Sequence, residues 1–134
     1  MKQIIVLSIV ALVTNFTTGA DKTAKEYFQK AEKQQFDKDL KGAYKNYSKA
    51  IQLDTNYFEA YFRRAVLKTK MDSFVSAIKD YDRCLKINKT GETYYRRANI
   101  KWTLKDSVGA CVDWTNACDL IHNKSCDLKR GHCR

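Results

Sequence analysis

The chain has 134 residues, with 25 Lys+Arg against 15 Asp+Glu for a formal charge of +10, and it contains five glycines and no proline. That length suffices for one domain with a continuous core and is too short for a second. The basic balance favours acidic peptides, anionic envelope polymers, lipid headgroups or nucleic acid as partners. The absence of a recognition motif argues against nucleic acid.

The first twenty residues differ from the rest. Lys2 supplies a positive start, Ile4 to Val13 is an apolar run interrupted only by Ser8, and Thr18-Gly19-Ala20 offers small residues for cleavage. This layout predicts a secretory signal peptide over 1–20, removed to leave a mature chain of charge +9 once Lys2 is gone. The run is shorter than the roughly 20 apolar residues of a membrane span. No cysteine lies near the junction to accept a lipid. The competing reading, an extra amphipathic helix, fits poorly, because a near-continuous apolar run suits neither face of a surface helix.

From Asp21 onward apolar residues return at three- and four-residue steps. Over 74–87 they are Phe74, Val75, Ile78, Tyr81, Cys84, Leu85 and Ile87, a wide stripe of period 3.6. Clusters of capping residue types at 37–39, 54–56, 71–73, 88–91 and 106–107 punctuate the pattern. Helices are therefore expected over 22–36, 40–53, 57–70, 74–87, 91–104 and 107–121, with a short one over 124–132.

The helices also repeat. Ala31, Ala65 and Ala98 are each followed twelve residues later by Ala43, Ala77 and Ala110. Four residues on stand Tyr47, Tyr81 and Trp114, and three further Ala50, Cys84 and Ala117. The period is 34 residues, then 33, which is the mark of stacked helical hairpins. With Tyr27, Tyr61 and Tyr94 early in the first helix of each unit, the pattern resembles the tetratricopeptide repeat over about residues 24–124. It departs from that family in lacking the closing proline, in Arg64 and Arg97 at mid-helix positions, and in Cys84 at a small-residue position. The resemblance implies an all-α, right-handed solenoid of three hairpins (24–57, 58–90, 91–124) spanning residues 21–124, closed by a capping helix over 125–134.

The family lines its concave groove with first-helix side chains. By alignment these include Phe28 and Glu32 in the first unit and Phe62, Arg63 and Val66 in the second. Tyr95, Arg96, Asn99 and Trp102 follow in the third. The Lys/Asn clamp with which some members hold a terminal carboxylate is not reproduced, since Phe28 and Glu32 occupy those positions. An aromatic recurs in each unit, with an arginine beside it in the second and third. Guanidinium forks pair with carboxylates and aromatics supply contact area, a combination suited to an extended, partly acidic peptide. Arg64 and Arg97 point about 100° away around the helix and are expected to pack their stems between helices.

Cysteines crowd the last quarter. Cys111 and Cys118 are two helical turns apart, as are Cys126 and Cys133, and the pairs 111/133 and 118/126 share a centre at position 122. Disulfides Cys111–Cys133 and Cys118–Cys126 would thus form rungs across one antiparallel hairpin, leaving Cys84 as a buried packing thiol. Two other readings stay open. Cys118, His122, Cys126, His132 and Cys133 are metal-ligand types, without a familiar zinc spacing. A cysteine with His122 or His132 as base would be a catalytic pair, but it lacks an orienting group.

The sequence thus points to an exported, periplasmic or secreted, non-enzymatic module that binds a polypeptide in the concave groove, acidic partners being favoured. It needs no cofactor, metal or catalytic residue, and no nucleic acid or transmembrane anchor in the mature chain. The alternative is a cysteine-stapled envelope protein that binds or acts on an anionic cell-wall component, on a loose similarity to Sel1-like repeats in the last hairpin. A three-repeat piece of a larger assembly is a third possibility.

Overall fold

The computed structural model describes residues 22–133, so the expected signal over 1–20 lies outside the described residues. Seven helices occupy them: α1 (Ala24–Phe36), α2 (Leu40–Leu53), α3 (Phe58–Lys70), α4 (Phe74–Ile87), α5 (Gly91–Thr103), α6 (Ser107–Asp119) and α7 (Asn123–His132). α1–α2, α3–α4 and α5–α6 pack as hairpins, and each hairpin touches the next through α2–α3 and α4–α5. The result is an all-α solenoid of hairpins with α7 laid on α6. Expected and observed boundaries agree within two residues. The largest differences have local causes: Thr23 caps α1 and delays its start, and the chain turns at Ile121 so that α6 stops at Asp119.

Capping chemistry sets the starts. Thr23 and Glu26 form a reciprocal capping box, Asp39 and Asp106 accept from the amides of Gly42 and Gly109, and Thr90 accepts from Thr93. Gly42 and Gly109 serve the same geometry, because a Cβ at either would lie within 2.2 Å of the capping carboxylate. The turn inside every hairpin holds one residue in the left-handed region, Lys38, Asp72 and Lys105, with φ of 63°, 55° and 65°. That shared turn gives the three hairpins the same geometry.

The recurrent small residues are the close-approach points. Ala31, Ala43, Ala65, Ala77, Ala98 and Ala110 are all fully buried, as are Ala50, Cys84 and Ala117. Tyr47, Tyr81 and Trp114 fill the space that the alanines open. Burying one such ring stabilises by about 1.5–3 kcal/mol, so this triplet contributes a large share of the core.

Within each of the last two hairpins, and reaching back to the hairpin before it, runs a buried polar ladder. Asp80 takes a bidentate fork from Arg64, both contacts 2.8 Å, and the ammonium of Lys68 at 2.8 Å. One repeat later Asp113 takes Arg97 at 2.8 and 2.6 Å and Lys101 at 2.9 Å. Each arginine also reaches back to the preceding hairpin, Arg64 to Ser48 at 3.0 Å and Arg97 to Asp82 at 2.5 Å. The expectation that these arginines act through their stems is therefore corrected: their charged heads join consecutive units. Burial alone would lower the pKa of both guanidiniums; the bonds and charges of Asp80, Asp113 and Asp82 outweigh it and leave them raised. In the first hairpin the ladder is neutral, with Asn46 donating to Gln34, and Lys30 stands exposed where the arginine would be.

Asp113→Ala should strand Lys101, leave Arg97 with Asp82 alone, and lower the unfolding free energy by about 3 kcal/mol. Asn46→Ala should cost only about 1 kcal/mol, the worth of a neutral hydrogen bond. Urea titrations of the two variants would measure the contrast, and equal losses would mean that the ladder carries no special load.

Candidate functional site

A cavity of about 650 Å³ opens between α3, α5 and the turn into α7. Its apolar lining comes from Val66, Phe74, Tyr81, Tyr95 and Ile100, and polar groups come from Thr69, Asn99 and Thr103. Lys70, Arg96 and Lys124 bring positive charge from three elements, against the single carboxylate of Glu92. Arg96 donates through Nε to Glu92 at 2.6 Å, and its guanidinium carbon lies 5.5 Å from the centre of the Phe62 ring. This contact holds the fork in place while leaving its terminal nitrogens available.

The far wall is the α6–α7 turn with the start of α7, residues Ile121, His122, Asn123 and Lys124. His122 stacks on Tyr95 with ring centres 4.6 Å apart and meets Glu92 at 3.0 Å through Nε2 and Ser125 at 2.9 Å through Nδ1. Both ring nitrogens are thus engaged, one by a carboxylate and one by a hydroxyl that can donate or accept. The residue types are those of a hydrolytic relay, yet Ser125 is fully buried. The arrangement fixes the turn. Ile121 is 86% exposed at the mouth and has a φ of 62°, a strained conformation for a β-branched residue.

The nine groove residues expected from sequence divide. Val66, Tyr95, Arg96 and Asn99 line the cavity, with Phe62 under Arg96 at its edge. Asn99 is also the acceptor for the Trp114 indole at 3.1 Å. Phe28 instead packs on Tyr47 and Tyr57. Glu32 accepts from the Tyr47 hydroxyl and pairs with Arg63 at 3.5 Å, so both lie away from the cavity. Trp102 leans on Trp114 and His132 at the closing end, not on the groove. Lys70, Phe74, Ile100, Thr103 and residues 121–124 were not anticipated. A signal for the last group existed: α7 opens 32 residues after α5, close to the repeat period, so its start takes the place of another unit's first helix.

The structure joins Cys111 to Cys133 and Cys118 to Cys126, with Cα–Cα distances of 5.6 and 4.8 Å. His122, one of the metal-ligand types noted in the sequence, is engaged with Ser125 and Glu92. Cys84 is free and buried, with its thiol 3.8 Å from the Phe58 carbonyl oxygen. Burial pushes it up to about 12, and burial likewise raises Tyr81 to about 12.

Residues 58–90 match the family model described as Tetratricopeptide repeat. No curated protein sequence matches the chain. Among solved structures the chain is similar to the MamA protein, with a TM-score of 0.72, 17% identity and 76% of this chain covered; it spans 57% of the MamA chain. It is also similar to the first such domain of Spaghetti (RPAP3) bound to an HSP90 peptide, with a TM-score of 0.74, 20% identity, and 81% and 89% coverage of the two chains. A third is the Yersinia enterocolitica type III secretion chaperone SycD in complex with a peptide of the translocator YopD, with a TM-score of 0.69, 18% identity, and 75% and 77% coverage.

Oxidised protein should show one thiol per chain, Cys84, that reacts with maleimide only after unfolding, because a buried thiol held protonated is not a nucleophile. Labelling in the folded state, or a peptide map linking Cys84 to another cysteine, would contradict this. The same shifts set an alkaline limit. Folded Cys84 and Tyr81 keep their protons to about pH 12, while unfolded thiols and phenols release theirs near 8.5 and 10. Their contribution is intact below about pH 8.5 and is lost as pH rises towards 12. Cys84→Ala should flatten the lower part of that decline in denaturation curves taken at a series of pH values.

Proposed function

We propose that the chain, one repeat of which matches the tetratricopeptide repeat model and whose hairpins stack like those of such domains, is an exported, non-enzymatic interaction module holding a polypeptide partner in its concave groove. The observation that carries the reading is the cavity between α3, α5 and the α6–α7 turn, with apolar walls and three cations around one already engaged carboxylate. Such a site suits an extended segment that places an apolar side chain inside and acidic groups at the rim. Two of the similar structures hold peptides, from HSP90 and from YopD, which supports a peptide as the class of ligand here.

In this reading residues 1–20 direct export, 21–124 form the binding array, and 125–134 are the cap stapled by Cys111–Cys133 and Cys118–Cys126. Paired cysteines suit an oxidising compartment, periplasmic or extracellular. Among the described residues no helix is long and apolar enough to cross a membrane. One observation favours the second reading, an anionic envelope polymer: Lys41, Lys45, Lys49, Lys79, Arg83 and Lys86 share the outward faces of α2 and α4. Among the described residues none of these six makes an ion pair.

Crosslinking in intact cells followed by mass spectrometry would recover a protein on the first reading and an envelope polymer on the second. With the partner in hand, Arg96→Ala should weaken binding by about 1.5–3 kcal/mol, the loss of a charged hydrogen bond. Its effect on stability should stay below about 1 kcal/mol, since the Glu92 pair is half exposed. Arg63→Ala, outside the cavity, should leave calorimetric affinity unchanged. Equal effects at both positions would move the site.

A further inference from the structure

We propose that α7 is a disulfide-held wall of the groove cavity, so that the binding site is assembled in the oxidised protein and dismantled when Cys118–Cys126 is reduced. The inference rests on the groove reading above and names the regulation of that site.

Four of the cavity-lining residues, Ile121 to Lys124, form the α6–α7 turn and the start of α7, and the Cys118–Cys126 bond closes the loop that contains all four. Little else holds that wall. α7 has ten residues, fewer than the roughly 12–15 below which an isolated helix is marginal in water. Its one fully buried residue is Ser125, and Leu128 is the apolar side chain that it sets against the cluster of Ala98, Ala110 and Trp114. The remaining links are His122 with Glu92 and Tyr95, and His132 with Trp102 and Trp114. Ile121 strains the turn itself, and opening would relieve that strain. The two bonds divide the work. Cys118–Cys126 fixes the wall, whereas Cys111–Cys133 ties the far end of α7 beside the tryptophan pair.

The switching step balances with a dithiol as reductant. Its thiolate attacks one protein sulfur, the protein S–S bond breaks, and the mixed disulfide resolves as the reductant closes its own ring. The two electrons pass to the protein sulfurs, which take up protons as thiols. Cys84, buried beneath α3, takes no part.

The test uses the full chain, oxidised and then treated with excess dithiothreitol, with three readouts. Trp102 and Trp114 are the two tryptophans and both touch His132, so emission should shift to the red as α7 leaves. Amide exchange over 119–128 should accelerate at least tenfold, with α1 to α4 unchanged. A fluorescein-labelled decapeptide alternating aspartate and leucine should bind the oxidised form and lose at least tenfold in affinity on reduction. Cys118→Ser with Cys126→Ser should reproduce the weakened binding while exchange over α1 to α4 stays unchanged. Cys111→Ser with Cys133→Ser should shift tryptophan emission but keep binding within about twofold, and this contrast decides the matter should complete reduction unfold the whole chain.

Unchanged exchange over 119–128 on reduction would overturn the proposal, because the wall would then stand without its bond. Faster exchange with unchanged peptide binding would overturn it too, since the wall would not belong to the site. A peptide that binds neither form would sink the groove reading and the regulation of binding with it, while the exchange data still report separately on release of α7.

Discussion

Asp80 and Asp113 lie almost wholly out of water, and each is neutralised by an arginine and a lysine from the partner helix of its own hairpin. A buried carboxylate tolerates no slack in its partners, since an unpaired charge there is strongly destabilising. The arginines also bond backward to Ser48 and Asp82, so they meet their aspartates and the preceding hairpin at once only in one register. Apolar stacking alone would let neighbouring hairpins slide, because alanine faces are nearly featureless. The ladder turns a sticky array into one of fixed register, and the cavity between α3 and α5 inherits its shape from that register.

The ladder also sorts the charge. Arg63, Arg64, Lys68, Arg96, Arg97 and Lys101, all on first helices, have carboxylate partners. Of the cations left without such a partner, Lys70 and Lys124 sit at the cavity rim, and a further group lies along α2 and α4. Between α1 and α3 the groove is occupied by the chain's own groups, since Phe28 lies on Tyr57 and Glu32 bridges Tyr47 and Arg63. Between α3 and α5 the corresponding position is Val66, too short to reach across, and open space remains. One small side chain thus separates a filled interface from a cavity.

The end of a solenoid faces a different problem. No further hairpin packs on α6, and α7 closes the cluster of Ala98, Ala110 and Trp114 with Leu128 as its one apolar contribution besides Cys133. Covalent links substitute for area. A disulfide typically contributes about 2–4 kcal/mol, comparable with burying one or two large side chains. The bonds across the last hairpin therefore stand where another repeat would bring hydrophobic contact, and the short helix completes the groove wall as a further unit's first helix would.

The sequence by itself determined the number of hairpins, their period and their close contacts. Ala31, Ala65 and Ala98 recur because backbones cross there, and Tyr47, Tyr81 and Trp114 recur because a fixed volume must be filled. Such constraints repeat with the unit, so they can be read along one dimension. The spacing of Cys111, Cys118, Cys126 and Cys133 is legible for the same reason, because helical pitch fixes which rungs can meet. Tertiary structure alone decided the site. Arg63 and Arg96 look equivalent along the chain, yet one finds Glu32 across the interface and the other finds Glu92 on its own helix. Trp102 sits at a groove position but turns to Trp114 and His132 because α7 supplies a partner there. Whether a side chain faces a ligand or a neighbour depends on what the adjacent unit places opposite it. That is a property of pairs distant in sequence, and no periodic pattern encodes it.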